Sequence, residues 1–251
     1  MKYVQLILIL CLAAGLAVAE QTETLTLEAG GLDGLRIACG AGSLKVTGGE
    51  DLKEITVTAV IRGQEWTKAE VAKYITLTDE KGKARLHVES KAKSGMLGMG
   101  GTSCEVDLTV TMPRGFALDI TDGSGGIVVA DVDGALDITD GSGGIEARTL
   151  GGRVVITDGS GSIEITACRA GITIKDGSGA IRLSDIGGPL DITDGSGGID
   201  IQKVTGPVTI NDGSGSIRIQ GVETDVTIES DGSGSVTISD VKGTVTQPEE
   251  D

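Results

Sequence analysis

Seven copies of Asp-Gly-Ser-Gly run through the second half of the chain, with the aspartate at 122, 140, 158, 176, 194, 212 and 231. Met singly, such a tetrapeptide offers three chemistries: a serine nucleophile, a glycine loop that cradles phosphate, or an aspartate that binds a cation. A catalytic serine is one residue activated by one base. Here Ser124, Ser142, Ser160, Ser178, Ser196, Ser214 and Ser233 are equivalent, and the single histidine, His87, lies outside the repeats. A phosphate loop needs a helix N-terminus or a nest of N–H groups behind it, usually with a lysine. Behind these corners stand strand-forming, β-branched residues in acidic surroundings, as in "GGIEA" and "GSIRI". Calcium has a closer precedent, because two stacked G-G-x-G-x-D nonapeptides make an 18-residue turn of a secreted β-roll. Only one corner of each unit carries the aspartate and glycines regularly; the other reads "TLGG", "CRAG", "DIGG" or "KVTG". Carboxylates stacked at coil spacing repel by about 0.9 kcal/mol per neighbouring pair even at the dielectric of water. Two things could offset that. Each aspartate could accept the N–H of the serine two residues on, as Asp does in turns, with glycines taking the unusual dihedrals. Alternatively Asp122, Asp140, Asp158, Asp176, Asp194, Asp212 and Asp231 could hold calcium. Both readings stay open on the sequence.

The elements that position these corners follow from the period. The aspartates recur at 18 residues five times and then at 19. Apolar residues alternate with polar ones before each corner, as in Leu136/Ile138 and Leu190/Ile192. They alternate again after it, as in Ile145/Ala147 and Ile199/Ile201. Alternation of β-branched residues specifies strands with one buried face. A further apolar residue closes each unit: Val132, Leu150, Cys168, Ile186, Val204, Val222 and Val241. An antiparallel meander has no need of a constant period, whereas a β-solenoid stacks equivalent residues and must conserve it. The expected fold is therefore an all-β, parallel β-solenoid of 18-residue coils over residues 113–247. Ser230 reads as an extra residue in a bulge. The tail at 248–251, proline followed by three carboxylates, would discourage another chain from adding to the last edge.

The first nineteen residues have the form of a signal peptide: Lys2, the apolar "VQLILILCLAAGLAV", and a small-x-small site at Ala17-Val18-Ala19. That predicts an exported protein, periplasmic or extracellular, whose mature chain does not span the membrane. The net charge of −16 is uneven, with 23 acidic against 9 basic residues in 113–251. Such a balance argues against nucleic acid or an anionic membrane as partner. Residues 20–112 are less regular, with strand patterns at 24–29, 35–48, 54–62, 84–90 and 104–113 and a capped helix at 67–74. "GAGSLKV" looks like a degenerate copy of the later corner, so this region should supply a cap and the first coils. Cys39 and Cys104 share the inward parity of their strands, and in an oxidising compartment a Cys39–Cys104 disulfide would tie the region together. Cys168 stands where other coils have Val, Leu or Ile and reads as a buried apolar residue. Met96, Leu97 and Met99, in "SGMLGMGG" (94–101), read as a loop folding over the end of the core or as an adaptable contact.

Through "LRIACGAGSLKVTGG", the entry "VTMP" (110–113) and the repeated "DGSG-x-I-x-φ", the chain resembles the bacterial putative-adhesin and head-domain family of extracytoplasmic β-helical domains of unknown function. The resemblance covers most of 24–247 and implies a right-handed, single-stranded parallel β-helix. Right-handed β-helices include polysaccharide lyases and hydrolases, which carry long loops and a groove of acids, bases and aromatics. Here the coils have almost no insertions, and Trp66 and Phe116 are the only Trp and Phe. Acids that read as outward pairs, Asp119 with Asp122 and Asp137 with Asp140, recur with the period and need no catalytic explanation. The expectation is a non-enzymatic module without cofactor, presenting a rigid surface to a glycan or an envelope protein.

Overall fold

The structure is a computed structural model that describes residues 5–8 (backbone only), 20–63, 65–89 and 105–248. Two long sheets run side by side through nearly the whole chain, one of twelve strands and one of eleven. From Ala117 onward each coil gives one strand to each sheet, for example Leu136–Asp140 to the second and Ile145–Leu150 to the first. Successive coils pair in parallel with an offset of one repeat, so that Ile138 faces Ile156 and Ile145 faces Ile163. The chain is thus a parallel β-solenoid, as its period demands.

Why the coil closes is visible in its parity. Inward residues such as Ile145 and Ala147 alternate with outward ones until a left-handed residue intervenes, after which Leu150 again points inward. That left-handed residue is Asp131, Thr149, Ala167, Asp185 or Lys203 in successive coils, with φ between 56° and 59°. It shifts the alternation by one and turns the strand toward the next side. The interior then holds columns of Leu, Ile and Val that are almost wholly buried. Each such side chain contributes roughly 1.5–3 kcal/mol by leaving water. Cys168 occupies the column of Val132, Leu150 and Ile186 and is 1 % exposed, a buried apolar position as expected.

The N-terminal region is a cap with an unexpected order. Its elements are β1 (Gln5–Leu8), β2 (Glu20–Glu28), β3 (Gly34–Ala38), β4 (Leu44–Gly49), β5 (Glu54–Arg62), α1 (Lys68–Tyr74), β6 (Ile75–Glu80), β7 (Lys83–Val88) and β8 (Glu105–Pro113). β3 and β4 form a coil around "CGAGS", but it is sandwiched: β7 and β8 lie on one side and the coil beginning at Ala117 on the other. Beyond β8, the antiparallel pair β5 and β2 finishes the first sheet, with β1 outside β2. The helix carries the anticipated capping box: the Thr67 amide donates to Glu70 at 2.9 Å and the Glu70 amide donates back to Thr67 Oγ1 at 3.3 Å. The bulge near the C-terminus differs from the sequence expectation. Ser230 pairs with Asn211, so the unpaired extra residue is Glu229. The loop at 94–101, Cys104 with its pairing to Cys39, and residues 249–251 lie outside the described residues. So do the side chains of 1–19.

Candidate functional site

Each Asp-Gly-Ser-Gly is the corner between a strand of the second sheet and a strand of the first. In the internal coils its amides are already committed. The Gly159 N–H donates to the Asp140 carbonyl at 3.1 Å, the Ser160 N–H to Asp158 Oδ1 at 3.2 Å, and the Gly161 N–H to the Ser178 carbonyl at 2.9 Å. The same pattern recurs at 177–179, 195–197 and 213–215. No nest of free donors remains in these corners to hold a phosphate. Ser124 Oγ donates to the Gly40 carbonyl at 3.1 Å, while His87 sits on the outer face of β7 against Glu89 at 3.3 Å.

The second glycine of the corner explains why the motif is invariant within the chain. Gly125, Gly143, Gly161, Gly179, Gly197 and Gly215 have φ between 132° and 148°. A Cβ on Gly179 would lie 1.5 Å from the carbonyl oxygen of Gly161 in the neighbouring coil. Backbones there are too close for any side chain.

The aspartates depart most from expectation. Asp122 and Asp140 do not form outward pairs with Asp119 and Asp137; they point into the solenoid. Three residues apart on a strand means opposite faces. Asp119 and Asp137 face solvent, whereas Asp122 shares the inward parity of Leu118 and Ile120. Asp122, Asp140, Asp158, Asp176, Asp194 and Asp212 are all buried, between 0 % and 6 % exposed. They stack directly upon one another in register. Asp231, displaced by the bulge, is only half-buried. The bracing of the turn is as anticipated for Asp158, Asp176, Asp194 and Asp212, whose Oδ1 accepts the serine amide; their Oδ2 atoms have no partner. In Asp122 and Asp140 neither oxygen has a well-formed partner. At the head of the column stands Cys39, the residue after the Ala38–Thr121 pair. Its thiol faces Asp122, and burial together with that carboxylate holds it firmly protonated.

Burial pushes every one of these six carboxyl groups above the ordinary value. Asp140 and Asp194 reach about 6, first through loss of water and then through repulsion by the aspartates above and below. A calcium ion takes six to eight oxygens. The corner carbonyls already accept hydrogen bonds from neighbouring coils, and among the described residues no three His, Cys, Asp or Glu side chains converge as a metal site would require. The geometry therefore does not favour the calcium arrangement.

Outside, the second sheet presents two in-register columns. One runs Asp119, Asp137, Val155, Thr173, Asp191, Thr209, Thr227; the other runs Thr121, Thr139, Thr157, Lys175, Thr193, Asn211. A shallow groove of ≈ 630 Å³ follows the left-handed corner, lined by Ala167, Arg169, Asp185, Lys203 and Glu223 among others. Its charges are mixed, with Lys203 3.3 Å from Asp185. Among the described residues no helix is long and apolar enough to cross a membrane.

No protein-family model and no curated protein matches the chain. Among solved structures it is similar to a putative lipid binding protein from Parabacteroides distasonis ATCC 8503, with a TM-score of 0.49, 11 % identity, and 91 % of this chain and 95 % of that one covered. A putative adhesin from Bacteroides fragilis NCTC 9343 gives a TM-score of 0.44 at 15 % identity over 93 % of this chain and 100 % of that one. For a putative cell adhesion protein from Clostridium sporogenes ATCC 15579 the TM-score is 0.38 at 11 % identity, with 92 % and 100 % covered. The strand register, rather than these likenesses, establishes the fold.

Proposed function

We propose that this chain is an exported, non-enzymatic module whose rigid outer face binds a repetitive ligand, a glycan or an envelope protein. The carrying observation is the pair of columns on the second sheet. Short Asp and Thr side chains repeat there at one coil spacing, about 4.8 Å, with no loop inserted between coils. Such a face needs little ordering on binding, which lowers the entropic cost of association. The leader-like first nineteen residues support export, and the committed corner amides and isolated His87 speak for binding rather than turnover. A panel of bacterial glycans and an envelope-protein pull-down, run with the purified chain, test this. Binding should be lost in Thr139→Arg/Thr157→Arg, which crowds the face without touching the core, and kept in Arg182→Ala on the other sheet. Equal binding by both variants, or reproducible cleavage of a polysaccharide, would overturn the proposal.

A further inference from the structure

Six acidic side chains packed into an aliphatic interior need an account that a surface-binding function does not supply. Among the described residues the buried ionisable groups are these six aspartates, the Cys168 thiol and Glu23, which accepts a hydrogen bond from Gln21 at 2.7 Å. No lysine, arginine or histidine is among them. The surroundings of the column can be named from every side. Along the axis each aspartate meets the next, with Cys39 at one end and Asp231 at the other. Across the interior, the strands of the first sheet offer Ile127, Ile145, Ile163, Ile181, Ile199 and Ile217. The third side offers Val, Leu and Ile, with Cys168 as its one thiol. A carboxylate so placed has lost its water and gained no cation, and a buried unpaired charge neutralises rather than endures that cost.

The remaining atoms show how. In each of the six, Oδ2 is buried without a hydrogen-bond partner. It is an acceptor in a carboxylate and a donor in a carboxylic acid. Coils repeat at about 4.8 Å, and the two oxygens of a carboxyl group lie on different sides of its carbon. An O–H of one aspartate can therefore reach an oxygen of the next within about 2.7 Å, the length of a strong O–H···O⁻ bond. We propose that the six aspartates form a proton-sharing column, in which the carboxyl groups that stay neutral each donate their one O–H to a carboxylate oxygen of an adjacent coil. The column makes the solenoid an acid-favouring fold that loosens as it gives up its protons. The upward displacement of all six titrations agrees with this. Their protons come off as a coupled set, not residue by residue.

Infrared spectroscopy of the full chain in H₂O and D₂O tests the column directly. At pH 6, where exposed carboxyl groups are almost wholly ionised, the spectrum should contain a protonated-carboxyl band that shifts on deuteration and fades as pH is raised. Asp140→Asn/Asp194→Asn replaces two neutralised positions with amides that can donate in their place. This variant should lose much of the band and keep or raise its urea midpoint at neutral pH. Should it fail to fold, the wild-type band alone decides. Absence of that band at pH 6, or a midpoint raised by millimolar calcium or potassium instead of by acid, would overturn the proposal.

Discussion

Gly179→Ala should damage the solenoid far more than the loss of one hydrogen-bonded corner. The added Cβ would sit 1.5 Å from the Gly161 carbonyl oxygen, 2.6 Å from its carbon and 3.2 Å from its nitrogen. These are backbone atoms fixed in the stack, so no rotamer change relieves the contact. The φ of +145° adds roughly 1–3 kcal/mol of backbone strain for a residue with a side chain. Separating the coils would also break the Gly161 N–H bond to the Ser178 carbonyl, now 2.9 Å, at a net cost of about 1 kcal/mol. Together these two come to about 2–4 kcal/mol before the steric clash is counted, a large share of the roughly 5–15 kcal/mol that holds a typical domain. The control is one residue further on in another copy. Gly144 has no left-handed φ, and a Cβ there would meet Ser162 Oγ at an ordinary 3.5 Å. Gly144→Ala should stay within about 0.5 kcal/mol of wild type. Urea unfolding followed by far-ultraviolet circular dichroism compares the two. Equal midpoints for the two variants would refute the close-stacked corner.

Three further outcomes are expected in other parts of the coil. Thr149 holds a left-handed φ of 56° at an exposed position that Gly221 fills in a later coil. Thr149→Gly should stabilise by about 0.5–1 kcal/mol, the left-handed penalty less the entropy cost of glycine, read as a higher urea midpoint. Cys168→Val, which copies Val132 and Val204, should cost less than about 1.5 kcal/mol and leave thermal unfolding indifferent to reductant. The melting temperature should be the same in EDTA and in millimolar calcium, since among the described residues no three His, Cys, Asp or Glu side chains converge as a metal site would require.

The solenoid was legible in the sequence because its signal is redundant. Alternation, the closing apolar residue and the 18-residue period all repeat, so a single ambiguous unit cannot mislead. The capping box at Thr67 and Glu70 was legible for a local reason: its two hydrogen bonds join residues three apart. The inward aspartates were legible too, by parity with Leu118 and Ile120 or with Leu136 and Ile138. A charged residue at an inward position reads naturally as the last residue of a turn, and that preference masked the alternation. The bulge hid for a related reason, because Glu229 and Ser230 are both polar and only pairing with Asn211 distinguishes them. The N-terminal order could not be read at all. That β3 and β4 lie between β8 and the Ala117 coil depends on long-range pairing that no local pattern encodes. The outer Asp and Thr residues recur in the sequence, but which of them share a column is given only by the register.

The pH dependence of stability tests the buried column most directly. Asp140 and Asp194 titrate near 6 in the folded chain against 3.8 ordinarily. A carboxyl group raised on folding gives stability that is fully present below its unfolded value and lost as pH rises through its folded value. The chain should therefore be more stable at about pH 4.5 than at about pH 7.5. A shift of about two units corresponds to a ceiling of about 3 kcal/mol per group, and to about half of that once the corner relaxes and admits water. Eased repulsion among the exposed acids acts in the same direction, so the comparison is with Asp140→Asn/Asp194→Asn, whose slope should be distinctly flatter. A urea midpoint that rises between those two pH values, or the same slope in the variant, would contradict a column of shared protons inside the coil.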